Sequence, residues 1–294
     1  MEIINFKRRD FSNFRQFKLS SDILSTEASF YWLDDKHLIK RYKTLTRDYL
    51  DGAIYTVDNL MKYKSVINMD ELVIPKSLMS INHRVCGYIV DFIDGVNLSK
   101  ILYDPKVSIQ QKMHYLKLVG MSLEKMQGVR DTTCLTDFFI GDLHEDNIMV
   151  DRNGEIRFLD LDSCKINNNV TSSSKYLTEI WYCGRSECID HKYIQTFDRF
   201  GYDAIVPSSD SDLYCYNIMI MNTLLQGDIT CYGLADFNRY IDFLYNKGVS
   251  VDLVNSFSKL YSNLYPNENP YKFLDLVDDN WGKVYSKKFF NSRI

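Results

Sequence analysis

Residues 140–162 join three polar side chains at fixed spacing to the pattern of a β-hairpin. Two short apolar runs, 148–150 and 156–159, flank an Asn-Gly pair, which is the strongest short-range signal for a hairpin turn. A hairpin returns the chain on itself, so the pattern predicts that Asn147, at its entry, lies beside Asp160, at its exit. This segment constrains the fold strongly because it fixes two polar side chains on one rigid unit.

The side chains at the two ends of this hairpin are suited to hold a hard cation. Magnesium prefers oxygen ligands and usually takes one or two from protein, with the rest from phosphates and water. The Asn147 carbonyl and the Asp160 carboxylate are such ligands. Asp142 lies on the loop before the hairpin, where a carboxylate can orient and deprotonate an attacking hydroxyl. The spacing predicts a phosphotransferase site; the alternative is a surface hairpin whose polar residues only cap turns.

This segment resembles the catalytic loop of the protein-kinase-like superfamily. Asp142 and Asn147 match its Asp-x-x-x-x-Asn motif, and the run Asp-Leu-Asp at 160–162 stands where the family has its magnesium-binding Asp-Phe-Gly. The resemblance implies an α+β, two-lobed protein-kinase-like fold with a small β-rich N-lobe and a larger helical C-lobe. It also implies that Asp142 is the catalytic base, that Asn147 and Asp160 bind Mg²⁺, and that ATP is the cosubstrate.

The loop differs from that of the Ser/Thr protein kinases at several positions. Ile140 and Gly141 replace the usual His-Arg, and His144 replaces the Lys two residues after the catalytic Asp. Gly-Asp-Leu-His-x-x-Asn is more similar to the aminoglycoside and small-molecule phosphotransferase branch. No Ala-Pro-Glu follows between 162 and 210. We therefore predict phosphoryl transfer to a hydroxyl acceptor, with a non-peptide acceptor slightly favoured over a protein Ser or Thr.

A nucleotide site needs a fixed positive charge near the phosphates, and Lys40 is the candidate. Residues 30–42 have the pattern of a strand, a turn and a strand, and the run Leu-Ile-Lys at 38–40 resembles the family's Val-Ala-Ile-Lys. The resemblance assigns Lys40 to the α- and β-phosphates. The alternative is that Lys40 is an ordinary exposed strand lysine. In that case Arg41 or Lys43 is equally available to contact the phosphates.

The loop that would cover the phosphates is the weakest match. It is predicted over 25–29, after a first strand at 22–24, and it contains no glycine. Glycine lets backbone amides approach a phosphate closely, so the small residues Ala28 and Ser29 are the candidates for that contact. This departure keeps two alternatives open: a pseudokinase that acts as a nucleotide-sensing or scaffold module, and nucleotidyl transfer on the same fold.

The remaining contacts of the nucleotide site rest on the resemblance. The apolar strand that begins at Gly87 would lead into the hinge between the lobes, where adenine bonds to the Asp91 carbonyl and the Ile93 amide. Helical spacing of apolar residues predicts a helix over 48–63. Asp58 or Asp51 on this helix could form an ion pair with Lys40 and hold it in place. The alternative is that both acids are solvated residues at the edge of the buried helix face.

Helices are predicted through the rest of the chain. Ser108-x-x-Gln111 is a capping box that opens a long helix. Asp212 begins a second long helix, and the resemblance implies that its carboxylate receives backbone amides of the catalytic loop. Further amphipathic helices are predicted over 234–247, 251–263 and 271–281.

The resemblance divides the chain into a lead-in over 1–19, a kinase-like N-lobe over 20–92 and a kinase-like C-lobe over 93–294. In the stretch between Asp162 and Asp210, residues 171–174 carry hydroxyl side chains that could be phosphorylated. Cys183, Cys188 and His191 do not have the spacing of common zinc sites.

Composition narrows the class of protein. With 294 residues and 45% apolar content, the chain can bury a sizeable core. Seven cysteines without framework spacing, no signal-peptide pattern and no membrane-spanning run predict reduced thiols and a cytoplasmic protein. A net charge of −4 without a basic stripe argues against nucleic acid, and the basic segment 6–18 is predicted to be solvated. The predicted partners are a nucleotide and a hydroxyl-bearing acceptor, with no membrane; the oligomeric state stays open.

Overall fold

A computed structural model describes residues 3–18, 28–43, 47–135, 137–167, 209–227, 234–262, 269–277 and Trp281. In chain order the strands are β1 (Ile3–Phe6), β2 (Gln16–Phe17), β3 (Ala28–Trp32), β4 (His37–Tyr42), β5 (Ser77–Ile81), β6 (Arg84–Asp91), β7 (Gly95–Asn97), β8 (Phe138–Phe139), β9 (Ile148–Asp151), β10 (Ile156–Phe158) and β11 (Lys165–Ile166). The α-helices are α1 (Arg47–Lys62), α2 (Lys64–Ile67), α3 (Leu98–Tyr103), α4 (Ile109–Thr132), α5 (Ser209–Leu225), α6 (Leu234–Asn246) and α7 (Val251–Ser262). Short 3₁₀ helices cover Arg8–Ser12, Glu145–Asn147, Leu161–Ser163 and Pro270–Leu276. The fold is mixed α+β, with a β-rich N-terminal region and helices in the C-terminal part, as predicted.

The N-terminal region is built on a six-stranded sheet in the order β1-β5-β6-β4-β3-β2. The predicted strand-turn-strand unit is confirmed, because β3 pairs antiparallel with β4. Side chains alternate between the two faces of a strand. Tyr42 packs toward α1, whereas Ile39 packs with Phe11 on the outer face, which is the face away from α1. Lys40 therefore shares the inner face with Tyr42, and Arg41 shares the outer face with Ile39.

The segment 6–18, predicted to be solvated, is instead packed in part against the sheet, although its basic residues are exposed. β1 pairs parallel with β5 at one edge of the sheet, and β2 pairs antiparallel with β3 at the other. Between them, Phe11 is buried on the outer face, where it makes edge-to-face contacts with Phe6, Phe14 and Tyr31. The aromatic side chains explain the error, because burying their rings stabilises the packed segment even though basic residues lie between them.

The phosphate-covering loop also differs from the prediction. The strand beside β3 is β2, which lies earlier in the chain than the expected strand at 22–24; residues 19–27 lie outside the described residues. Ala28 and Ser29, predicted as loop residues, begin β3 and pair with Tyr42 and Arg41. Ala28 is buried, so its side chain belongs to the core of the sheet.

The helical part has its core between α4 and α5. The predicted helix start is confirmed, since the Ser108 hydroxyl accepts a hydrogen bond from the Gln111 amide at 3.2 Å. The apolar residues along one face of α4 are buried, and the Tyr216 hydroxyl of α5 donates to the Leu116 carbonyl at 2.8 Å. Among the described residues, no helix is long and apolar enough to cross a membrane.

The C-terminal helices follow the predictions in part. α6 and α7 agree with the predicted spans 234–247 and 251–263 within one residue at each end. Of the α-helix predicted over 271–281, residues 271–276 instead belong to the 3₁₀ helix Pro270–Leu276, capped by the Asn269 side chain, which accepts from the Tyr271 amide at 3.2 Å; residues 278–280 lie outside the described residues. The apolar residues of this segment do pack inward, so the periodicity indicated burial without fixing the type of helix.

Candidate active site

The predicted hairpin is present as the antiparallel pair β9–β10, with Ile148 opposite Phe158. The Leu159 amide donates to the Asn147 carbonyl at 2.8 Å, which extends the pairing by one step toward the site. Asp160 follows directly and has φ 56° and ψ 44°, the left-handed conformation. A residue other than glycine in this region carries strain of about 1 kcal/mol or more, and such residues occur often at functional sites. The hairpin thus brings the Asn147 and Asp160 backbones together, as predicted.

Asp142 is joined to Asn147 by the side-chain amide of the latter. The Asn147 Nδ2 donates to the Asp142 carbonyl oxygen at 3.1 Å and to its Oδ2 at 3.3 Å. These bonds use the amide nitrogen, so the amide oxygen is the atom that Asn147 can offer to a cation. The Asp142 and Asp160 side chains are 26% and 41% exposed, which leaves both carboxylates accessible to a substrate.

Asp212 of α5 holds the backbone of the loop that carries Asp142. Its carboxylate accepts hydrogen bonds from the Ile140 amide at 2.9 Å and the Gly141 amide at 3.1 Å, which is the contact implied by the resemblance. Burial raises the pKa of Asp212 to about 6, although the two amides act in the opposite direction. Gly141 has φ 82°, a conformation that favours glycine. The loop that carries Asp142 is therefore anchored to α5, the longest helix of the C-terminal half that the structure describes.

His144 orients the same loop. Its Nδ1 accepts a hydrogen bond from the Asp146 amide at 3.2 Å, so in the neutral ring the proton is on Nε2. That Nε2 lies 3.6 Å from the Asp142 Oδ2, and the His144 side chain is only 10% exposed. The imidazole thus directs a polar N–H toward the candidate base.

Lys40 lies in a cluster of acids and tyrosines on the inner face of the sheet. Its Nζ donates to Asp162 Oδ2 at 2.9 Å and to Oδ1 at 3.1 Å, and it also pairs with the Asp160 carboxylate. The Tyr42 hydroxyl donates to Asp162, and the rings of Tyr42 and Tyr88 lie 5.5 Å from the ammonium. Burial alone would lower the pKa of Lys40, but the two carboxylates raise it well above its ordinary value. The ammonium is a fixed positive charge at the predicted position.

The alternatives to Lys40 lie elsewhere. Arg41 points to the outer face, where its guanidinium carbon is 5.2 Å from the centre of the Phe11 ring. Lys43 is exposed at the end of the strand. Neither side chain shares the inner face with Asp160.

The acid that braces Lys40 is Asp162 and not Asp58 or Asp51 of α1, so this expectation is corrected. Asp162 is buried in the 3₁₀ helix Leu161–Ser163, against which α1 packs. A short loop after β10 reaches the Lys40 ammonium, so no acid from α1 is required there. The sequence contained one signal for this role: an acid next to the apolar Leu161 and close to Cys164, two residues after the predicted magnesium ligand.

The predicted hinge begins at the end of β6, where Asp91 is the last residue of the strand and Ile93 follows it. The Phe92 amide, between Asp91 and Ile93, donates to the Lys36 carbonyl at 2.8 Å. The Asp91 carboxylate pairs with Lys76 at 3.0 Å. Asp91 and Ile93 line a cavity of about 780 Å³ together with the β9–β10 turn. Lys40, Asp142, Asn147 and Asp160 do not line this cavity.

The donor set at the hairpin fits magnesium. Asn147 offers an amide oxygen and Asp160 a carboxylate, and Mg²⁺ needs no more than one or two protein ligands when phosphates and water supply the rest. Within the described ranges, no group of three or more His, Cys, Asp and Glu is arranged to hold a metal ion. Cys183, Cys188, His191 and the hydroxyl residues at 171–174 lie outside the described residues.

No protein-family model matches the chain, and no curated protein matches it.

Proposed function

We propose that this protein is a phosphotransferase of the protein-kinase-like fold, which transfers the γ-phosphoryl group of Mg-ATP to a hydroxyl. One observation carries the proposal: the four predicted site residues form a connected cluster. Lys40 pairs with Asp160, the Leu159 amide joins β10 to Asn147, and the Asn147 amide donates to Asp142. Asp142, Asn147 and Asp160 were selected from their spacing around one hairpin and its resemblance to the catalytic loop, and Lys40 from a resemblance in a distant strand, so the contact between Lys40 and Asp160 supports a common site.

The chemistry follows from the positions of these groups. Asp142 accepts the proton of the acceptor hydroxyl, the hydroxyl oxygen bonds to the γ-phosphorus, and the bond to the ADP oxygen breaks. Asn147 and Asp160 would hold magnesium, which neutralises charge on the phosphates. Lys40 contacts the phosphates, and Asp162 keeps its ammonium in place when the Asp160 carboxylate binds the metal.

The first test concerns nucleotide and metal. ATP should raise the melting temperature of the protein when magnesium is present, because a ligand at 100 times its dissociation constant adds about 2.7 kcal/mol to the unfolding free energy. Asp160→Ala should abolish the dependence on magnesium. Asp35→Ala, which removes an exposed acid from the β3–β4 turn, is the control and should behave as wild type. If millimolar Mg-ATP leaves the wild-type melting temperature unchanged, the enzyme assignment is wrong.

The second test concerns the acceptor. A non-peptide acceptor is favoured because His144 stands where Ser/Thr protein kinases have a lysine, and a neutral imidazole supplies a hydrogen bond without a full charge. We expect γ-labelled ATP to label the small-molecule fraction of a cell lysate in an Asp142-dependent manner. Labelling of a few proteins alone would make a protein kinase the better description. Transfer from α-labelled ATP would indicate nucleotidyl transfer.

A second candidate function is nucleotide binding without catalysis. The Lys40–Asp160 pair favours it, since the carboxylate that magnesium requires is engaged by the lysine. This candidate predicts a melting shift with ATP and no label transfer to either fraction.

A further inference from the structure

Three arginines converge on the outer face of the six-stranded sheet, on the side opposite Lys40. Arg8 comes from the first 3₁₀ helix, Arg41 from β4 and Arg84 from the start of β6. All three line one cavity of about 480 Å³, whose other walls are formed by Phe11, Ser12, Tyr31, Tyr42, Ile81 and Cys86. None of these lining residues is acidic.

The three positive charges have no protein counter-ion in the part of the chain that the structure describes. The ion pairs formed there use other cations, among them Lys40, Lys76 and Arg157. The whole chain has a net charge of −4, with more acidic than basic residues. The absence of an acid among the residues that line this cavity is therefore not a consequence of the overall composition. Like charges that share one cavity repel, and a bound anion would relieve that repulsion.

The cavity is also held in shape. The Arg41 guanidinium lies over the Phe11 ring at 5.2 Å, and Phe11 contacts Tyr31 edge to face at 5.3 Å. Burial raises the pKa of the Cys86 thiol, while Arg41 and Arg84 both act to lower it, so the fields of two arginines reach the same wall. The Arg41 guanidinium therefore packs on an aromatic ring that is itself held by Tyr31, which reduces the entropy that Arg41 loses when a ligand binds.

We propose that this cavity is a second anion site, separate from the site at Lys40, which binds a small molecule carrying phosphate groups. Arginine is suited to phosphate because its planar donors engage two oxygens at once. A volume of about 480 Å³ holds a short chain of phosphates or a phosphate with a small organic group. Lys40 and Arg41 are neighbours that point to opposite faces, so the two sites lie on either side of β4.

The probe is inorganic tripolyphosphate, titrated by calorimetry into the full-length protein without added magnesium. We expect saturable binding of one equivalent and a rise in melting temperature. Arg8→Gln and Arg84→Gln should each weaken binding by roughly tenfold or more, the usual effect of losing a hydrogen bond to a charged group. Both side chains are exposed, so the variants should fold as wild type.

Three controls make the result specific. Arg9→Gln removes the neighbouring arginine of the same 3₁₀ helix, which does not line the cavity, and should change affinity by less than about twofold. Asp35→Ala, which removes an exposed acid from the β3–β4 turn, should leave tripolyphosphate binding unchanged, since Asp35 does not line the cavity. Citrate, a polyanion without phosphate, should bind more weakly. No binding at millimolar tripolyphosphate, an equal loss in Arg9→Gln, or equal affinity for citrate would overturn the proposal.

Discussion

Replacing Asp142 by Asn should lower turnover by roughly 10²–10⁴-fold, the usual contribution of a general base, while nucleotide binding survives. The substitution removes the base but keeps the shape of the side chain. The backbone contact is also kept, because Asn147 Nδ2 donates to the Asp142 carbonyl oxygen at 3.1 Å. The measurement pairs the rate of label transfer from γ-labelled ATP with the melting shift produced by Mg-ATP.

A neighbouring carboxylate provides the control for this variant. Asp146 lies on the same loop, with its side chain 31% exposed, and its carboxylate is 3.9 Å from the His144 Nδ1. Asp146→Asn should retain turnover within a few-fold of wild type. Wild-type turnover in Asp142→Asn would place the base elsewhere, and equal losses in both variants would indicate distortion of the loop and not loss of a base.

The elements that could be predicted are those with a local signature. The β9–β10 hairpin was predicted from its Asn-Gly turn, and the β3–β4 pair from two apolar runs around a polar turn. The start of α4 was predicted from the Ser108 cap. In each case the residues that determine the structure lie within a few positions of one another.

The errors concern contacts between distant parts of the chain. β1 is four residues long, and Ile3 pairs with Leu78, so nothing near position 3 distinguishes this strand from a loop. The segment Pro270–Leu276 has an apolar face, but its type of helix is set by packing against α4. Sequence patterns report which residues are buried; they do not report which partner buries them.

The same limit applies within the site. Asp142, Asn147 and Asp160 were identified because a hairpin fixes their relation locally. Asp58 was one candidate to brace Lys40, with a solvated position as the alternative, because the choice depends on how α1 and the 3₁₀ helix at Asp162 pack together. An acid among buried neighbours is the only sequence sign of that role, and such a residue needs a partner to be tolerated.

Loss of the Asp162 carboxylate should therefore destabilise the fold more than loss of the Asp58 carboxylate on α1. Asp162→Asn leaves the buried Lys40 ammonium with the exposed Asp160 as its remaining acid, and breaking one side of a buried ion pair costs about 3–5 kcal/mol of unfolding free energy. We expect the lower end of this range because Asp160 compensates in part. Denaturant unfolding of the purified variant measures the loss.

A double-mutant cycle identifies the cause of that loss. In Lys40→Met with Asp162→Asn, neither buried charge remains, so the double variant should be more stable than the sum of the two single losses predicts. Asp58→Asn is the matched control on α1, and we expect it to change the unfolding free energy by less than about 0.5 kcal/mol. Additive losses in the cycle would contradict a direct interaction between Lys40 and Asp162. A larger loss of unfolding free energy in Asp58→Asn than in Asp162→Asn would indicate that an acid on α1 stabilises Lys40 instead.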